Sequence, residues 1–456
     1  MRLNSQTIAR LPADIARFAY DRTGQSIGIV HFGIGAFHRA HMASYTDLAM
    51  NAGERDWMIS GVSLRSRSVA ERLNPQEGLF TLTERAGDNA STRLVGSVAE
   101  VLYAPDQADE VISRIADPAC QIVSFTVTEK GYARREGNLL NLQLAEASFY
   151  PLLSSALERR RKKGLPGVTL LSCDNLPDNG RVLRTLFAQW LAARNPDMIE
   201  WFQAHCSVPS TMIDRIVPRT DEQDLAWLEG LIGMQDPGAV FTERFSQWVI
   251  EDDFAGRRPA WENHGAQLVE DVRSYETAKL RMLNGAHSMI AYCGLQAGYE
   301  FVHEAVADPI LRRKAERLMR EEALPTISPA EGQDLEAYAD TLMERFADPA
   351  LRHRLSQIAM DGTQKIPQRW LDTLVDLEEA GGVPEAIPTG IDAWLWHIED
   401  RRFVDDPRKV ELHEALLQDG REAVLSLCFL GHNANAAIWP GYTELLPRLV
   451  MLTDGR

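Results

Sequence analysis

Long uncharged apolar runs are missing from this chain of 456 residues, and so is any dense set of cysteines. No run approaches the roughly 18 apolar residues that a membrane span requires, and the opening MRLNSQTIARLPADIARF lacks the apolar core of a signal peptide. A cytoplasmic protein without a membrane partner is expected. The five cysteines, Cys120, Cys173, Cys206, Cys293 and Cys428, are widely separated and form no C-x-x-C, so neither a disulfide framework nor a thiolate zinc site is indicated. Positive charge is also scarce: 48 Lys and Arg face 65 Asp and Glu, a formal net charge of -17. A surface that tracks phosphates needs clustered cations, which argues against nucleic acid. An anionic small-molecule substrate would need local cations to overcome the global field. With 45% apolar and 25% charged residues, the composition is that of a globular protein of two or three domains.

Strand-forming runs alternate with helical stretches in the first half. SIGIVHF, WMISGVSL, QIVSFTV and GVTLLSC read as strands, and AFHRAHMASYTDLAM and GRVLRTLFAQWLAAR as helices between them. This alternation implies a parallel sheet with helices on both faces. After about Val272 the pattern becomes helical, with segments expected over Tyr275 to Cys293, Asp308 to Ala323, Asp334 to Phe346 and Arg352 to Met360. The expected fold is therefore an α/β Rossmann-type N-terminal domain over 1–270 and a mainly α-helical C-terminal domain over 271–456, the latter carrying substrate and catalysis.

In SIGIVHFGIGAFHRAH, Gly33 and Gly35 follow a strand and precede a helix. Glycines there permit a tight turn and close approach of backbone N–H groups to a pyrophosphate. The third fingerprint position is His38 rather than glycine, and His38 and His41 read as structural or phosphate-adjacent. A carboxylate at the end of the second strand would favour NAD, but this chain has Arg65 and Arg67 there. NAD is the expected cofactor, with NADP left open by Arg65.

YETAKLRMLNGAHSMIAYCG reads as one amphipathic helix closed by Gly294, with Met282, Leu283, Ala286, Met289 and Ile290 in an apolar stripe and Lys279 near its middle. Burial disfavours an ammonium, which is how a lysine becomes a base near neutral pH. The competing reading is a lysine whose stem covers apolar surface while its head reaches water. Glu276, one turn earlier, either tunes that lysine or is a solvated carboxylate at the helix start.

HFGIGAFHRAH, TVTEKGY, LLSCDNLPDNG, STMIDRIVP, QWVIEDDFAGRRP and the K-x-x-x-x-N-x-x-H of KLRMLNGAH occur in an order that resembles the polyol-specific long-chain dehydrogenase/reductases, the family of mannitol dehydrogenase. The resemblance implies hydride transfer between nicotinamide and a secondary alcohol, with Lys279 as general base and no metal. It further implies Asn284 and Asn175 as donors to the substrate oxygen and His287 as a substrate-orienting residue. Phe32, Ala36 and Phe37 at the glycine turn, with Thr128 and Glu129 of TVTEKGY, would complete the cofactor contacts. Asp214 and Arg215 are expected to form an ion pair supporting the site.

Within that family, ERFADPALRHRLSQIAMDGTQKIPQRWLD resembles the mannonate oxidoreductase branch. Mannitol-oxidising relatives carry an arginine eight residues before the lysine of DG-x-x-K, where this chain has Gln357 before Lys365. Exchanging a forked cation for a neutral amide alters recognition. A sugar acid is therefore expected as substrate, with Lys365, Gln357 and Arg369 as its contacts. A polyol such as mannitol or arabitol is the alternative, and a dinucleotide-binding sensor without turnover is the alternative of another class. A zinc alcohol dehydrogenase would need a Cys/His ligand set that is not displayed.

Overall fold

The computed structural model describes residues 1–400, 404–431 and 436–453, and the chain divides into two compact units, Met1–Val272 and Arg273–Arg456. The first is built on five parallel strands: β1 (Ile27–Phe32), β2 (Met58–Ser63), β3 (Val98–Tyr103), β4 (Ile122–Phe125) and β5 (Thr169–Ser172). Their spatial order is β3-β2-β1-β4-β5. Successive side chains on a strand point to opposite faces. Val30, Phe32, Val123, Phe125 and Leu170 accordingly enter one core with the helices Tyr150–Lys162 and Asn179–Arg194. Ile29, Ile59, Ile122 and Leu171 enter another with the helix Met42–Asn51. Burial on both faces makes these strands continuous apolar runs, so four of the five are readable in the sequence.

The strand VAEVLY and eight further strands among the described residues were not expected. A hairpin, Phe80–Ala86 with Asn89–Val95, pairs in parallel with Val240–Glu243, and Gln247–Glu251 lies between Thr211–Asp214 and Ala266–Val269. A small two-stranded sheet joins Arg134–Arg135 to Leu139–Leu140. The helix expected over residues 36–50 is broken at His41 (φ -115°, ψ -100°) into Ala36–Ala40 and Met42–Asn51. Arg215 does not take Asp214 as its partner. Its guanidinium pairs with Glu84 at 2.5 Å and donates to the Ala40 and Glu243 carbonyls at 2.5 and 3.1 Å, bracing three segments.

In the second unit no strand is present among the described residues. The helix Gly285–Ala297 lies within its core, where Met282, Met289, Ile290, Trp370 and Trp394 are buried. Gly294 does not close that helix. It sits inside it, where a Cβ would come within 2.7 Å of Leu355 Cδ1, and the helix ends instead at Gly298 (φ +89°). Buried Glu322 accepts hydrogen bonds from the backbone N–H groups of Glu385, Ala386 and Ile387 at 2.5–2.9 Å, capping the helix Ala386–Asp400 from a distant part of the chain. Of the helix expected over Arg352 to Met360, only Leu355–Ile358 forms.

Candidate active site

Sheet order reverses between β1 and β4, whose carboxyl ends flank the crevice where open α/β sheets bind ligands. Gly33, immediately after β1, has φ +96°, and a Cβ there would lie 2.1 Å from the Thr126 carbonyl oxygen. The turn therefore requires glycine. At Gly35, by contrast, a Cβ would meet nothing nearer than the Gly33 carbonyl at 3.7 Å, which leaves room for a ligand to approach the backbone. Gly33→Ala is expected to destabilise the protein by about 1–3 kcal/mol, read as a lowered midpoint in thermal unfolding.

The His38 position has a physical reading. In the glycine fingerprint the third glycine brings helix and strand together. Here His38 is fully buried and stacks on His31 of β1, with ring centroids 3.4 Å apart and planes 17° apart. Flat rings achieve the close approach. His31 bonds Ser124 Oγ at 2.8 Å and Thr126 Oγ1 at 2.9 Å. Burial pushes His31 down to about 3 and His38 well below the usual imidazole range, so the stack is neutral.

Ala36 and Phe37 form the first helical turn after Gly35, with Phe37 stacked on His41 at 5.0 Å. The Phe32 ring lies in the core against Phe125 at 5.6 Å, so only its backbone reaches the turn. Arg65 is exposed beyond β2 and has no hydrogen-bonding or ionic partner among the described residues, whereas Arg67 pairs with Asp106 and lies over the Tyr103 ring. Thr128 and Glu129, beyond β4, are exposed, as is Asn175 beyond β5. Parallel strands thus gather Gly33, Gly35, Arg65, Thr128, Glu129 and Asn175 at one edge of the sheet. The sequence reading missed Asp174, whose buried carboxylate binds the Val127 and Thr128 N–H groups at 3.0 and 2.8 Å.

In the second unit the expected single α-helix is three pieces: α-helical Arg273–Ala278, a π-helical segment Lys279–Asn284, and α-helical Gly285–Ala297. The Gly285 N–H reaches back five residues to the Leu280 carbonyl. In an α-helix, residues five apart point about 140° from one another. The wider π turn reduces this to about 50°, so Lys279 and Asn284 share a side of the helix. The apolar stripe survives, since Met282, Leu283, Ala286, Met289 and Ile290 are all buried. Arg369 and Trp370, on another π-helical segment (Pro367–Leu371), clamp the first: Arg369 Nη1 donates to the Asn284 carbonyl at 3.2 Å and Ser288 Oγ at 2.8 Å, and Trp370 Nε1 to the Gly285 carbonyl at 3.1 Å.

His287 packs on Phe346 (4.7 Å) and edge-on to His353 (5.5 Å). Burial, then His353, Arg345 and Arg369, hold it well below the usual range and hence neutral. His353 is lowered by burial and by Lys365, and Lys365 by burial and by Arg369. Lys365 Nζ donates to the Met360 carbonyl at 2.6 Å, with Asp361 3.8 Å away. Gln357 is exposed on the short helix Leu355–Ile358. The structure therefore brings the imidazoles of His287 and His353 together with the cations Lys365 and Arg369. His353 escaped the sequence reading because it was assigned to a helix that does not form there.

The reversing parallel sheet with its glycine turn defines the first unit as a Rossmann-type domain. The mannitol dehydrogenase Rossmann domain matches residues 27–263 and the mannitol dehydrogenase C-terminal domain residues 271–425. The chain belongs to the mannitol dehydrogenase family. It is 40% identical to D-mannonate oxidoreductase of Escherichia coli over 405 residues, covering 85% of this chain and 83% of that protein. It is 36% identical to mannitol 2-dehydrogenase of Pyrenophora tritici-repentis over 453 residues (94% and 80% of the two chains). Among solved structures, the ternary complex of Pseudomonas fluorescens mannitol 2-dehydrogenase with NAD and D-mannitol aligns with a TM-score of 0.84 at 34% identity, covering 100% of this chain and 96% of that one.

Proposed function

We propose that this protein is an NAD-dependent oxidoreductase interconverting D-mannonate and D-fructuronate, without a metal. NAD supplies the hydride acceptor, with the backbone at Gly33 to Phe37 and residues Arg65, Thr128 and Glu129 holding it. Lys279, as the neutral amine, takes the proton from the substrate hydroxyl. Asn284 and Asn175 donate their amide N–H groups to the oxygen as negative charge develops on it, and neutral His287 orients the substrate. Arg65 has the chemistry to pair with a 2′-phosphate, so NADP is tested alongside NAD.

One observation supports the sugar acid over the polyol: two cations, Lys365 and Arg369, stand beside the uncharged imidazoles of His287 and His353 in a chain of net charge -17. A polyol offers Lys365 only hydroxyl oxygens, whereas a carboxylate forms the stronger, charge-assisted hydrogen bond with it. Reduction of D-fructuronate by the purified protein is followed at the nicotinamide absorbance with NADH and NADPH separately, and D-fructose is assayed in parallel. We expect kcat/KM for the uronate to exceed that for fructose by roughly ten- to a hundredfold, the worth of one such bond. Preference for fructose would assign the protein to polyol oxidation, as the likeness to mannitol 2-dehydrogenases also allows. Cofactor binding without turnover of either would assign a sensor.

A further inference from the structure

The geometry points to Asp174 as a positioning residue: its carboxylate holds Thr128 in a backbone conformation unfavourable to threonine, and thereby sets the loop that receives the dinucleotide at the end of β4. This inference rests on the proposed nicotinamide function. Thr128 has φ +63° and ψ 165°, a region essentially reserved for glycine and particularly unfavourable for a β-branched side chain. Such a conformation persists only where its surroundings over-determine it, and it clusters at ligand-binding sites.

Asp174 Oδ1 accepts from Thr128 N at 2.8 Å, and Oδ2 accepts from Val127 N at 3.0 Å and from the Tyr132 hydroxyl at 2.9 Å. The Thr128 carbonyl is fixed in turn by Gly131 N at 2.8 Å. The clamp is itself anchored. The Tyr132 hydroxyl also meets Ser172 Oγ at 2.6 Å, and Asn179 Nδ2 bonds both the Asp174 and Thr211 carbonyls, at 3.0 and 2.8 Å. A buried carboxylate bound on both oxygens, next in sequence to Asn175, therefore ties the β4 loop to the β5 loop at the same sheet edge.

The test is a double-mutant cycle read by NADH fluorescence titration on the full chain. Asp174→Asn keeps the shape but leaves one accepting oxygen where two serve, and turns N–H donors toward N–H groups. We expect it to weaken NADH binding about tenfold. Thr128→Gly removes the need for the clamp, because glycine adopts this conformation without strain. In the Thr128→Gly background the loss caused by Asp174→Asn should shrink to less than about twofold. Equal losses in both backgrounds, or no loss in either, overturn the inference while leaving the cofactor assignment intact. Wild-type protein that fails to bind NADH overturns the cofactor assignment itself. If Asp174→Asn does not fold, the single variant Thr128→Gly decides: relief of strain raises its thermal midpoint by a few degrees, and an unchanged or lower midpoint rejects the inference.

Discussion

Lys279→Ala should lower kcat for alcohol oxidation by roughly two to four orders of magnitude, the usual contribution of a positioned general base. Oxidation by the wild type should accelerate with rising pH as the base loses its proton, and that rise should vanish in the variant. NADH titration should be little changed, because the expected cofactor contacts lie in the Rossmann-type unit at Gly33, Gly35 and Thr128. A wild-type pH profile retained in Lys279→Ala would assign the base to another residue, and loss of NADH binding would mean that the substitution acts on the fold. Lysine suits this task through its compact, readily deprotonated amine; Lys279→Arg, whose guanidinium stays charged, should be nearly as impaired as the alanine variant.

The second large effect is expected at Asn284. Asn284→Ala removes one amide donor to the developing alkoxide and should cost about a hundred- to a thousandfold in kcat, with a smaller change in KM, as for a contact that strengthens in the transition state. The local helix should survive, because Arg369 holds the Asn284 backbone carbonyl rather than its side chain. Circular dichroism and the thermal midpoint distinguish the two explanations. A fall in KM-dependent terms alone, with kcat preserved, would move Asn284 from stabilising the alkoxide to ground-state binding.

How much of this was legible in the sequence depended on what each pattern must encode. The doubly covered strands were readable because burial on both faces demands uninterrupted apolar residues. VAEVLY, with Glu100 in its middle, was not, and strands of four residues such as Thr211–Asp214 and Val240–Glu243 are too short to show a period. Gly33 declared itself because no other residue suits its φ. Asp174 did not, since its role lies in bonds to the backbone 46 and 47 residues away. The break at His41 left no trace either, and the π-helical segment left none in the apolar pattern, because both preserve which side chains are buried. Sequence periodicity reports the inward face and is nearly blind to backbone hydrogen bonding.

That blindness has one exception in this chain. Lys279 and Asn284, the proposed base and amide donor, are five residues apart, a spacing an ordinary α-helix would place on different sides, and the segment between them is π-helical. The motif's spacing thus goes with the wider turn: a pair four apart would reach the same side in an unbroken α-helix. Read this way, K-x-x-x-x-N marks a change of backbone hydrogen bonding as well as two side chains. Arg369 and Trp370, whose donors occupy the Asn284 and Gly285 carbonyls, hold the end of that altered turn in place.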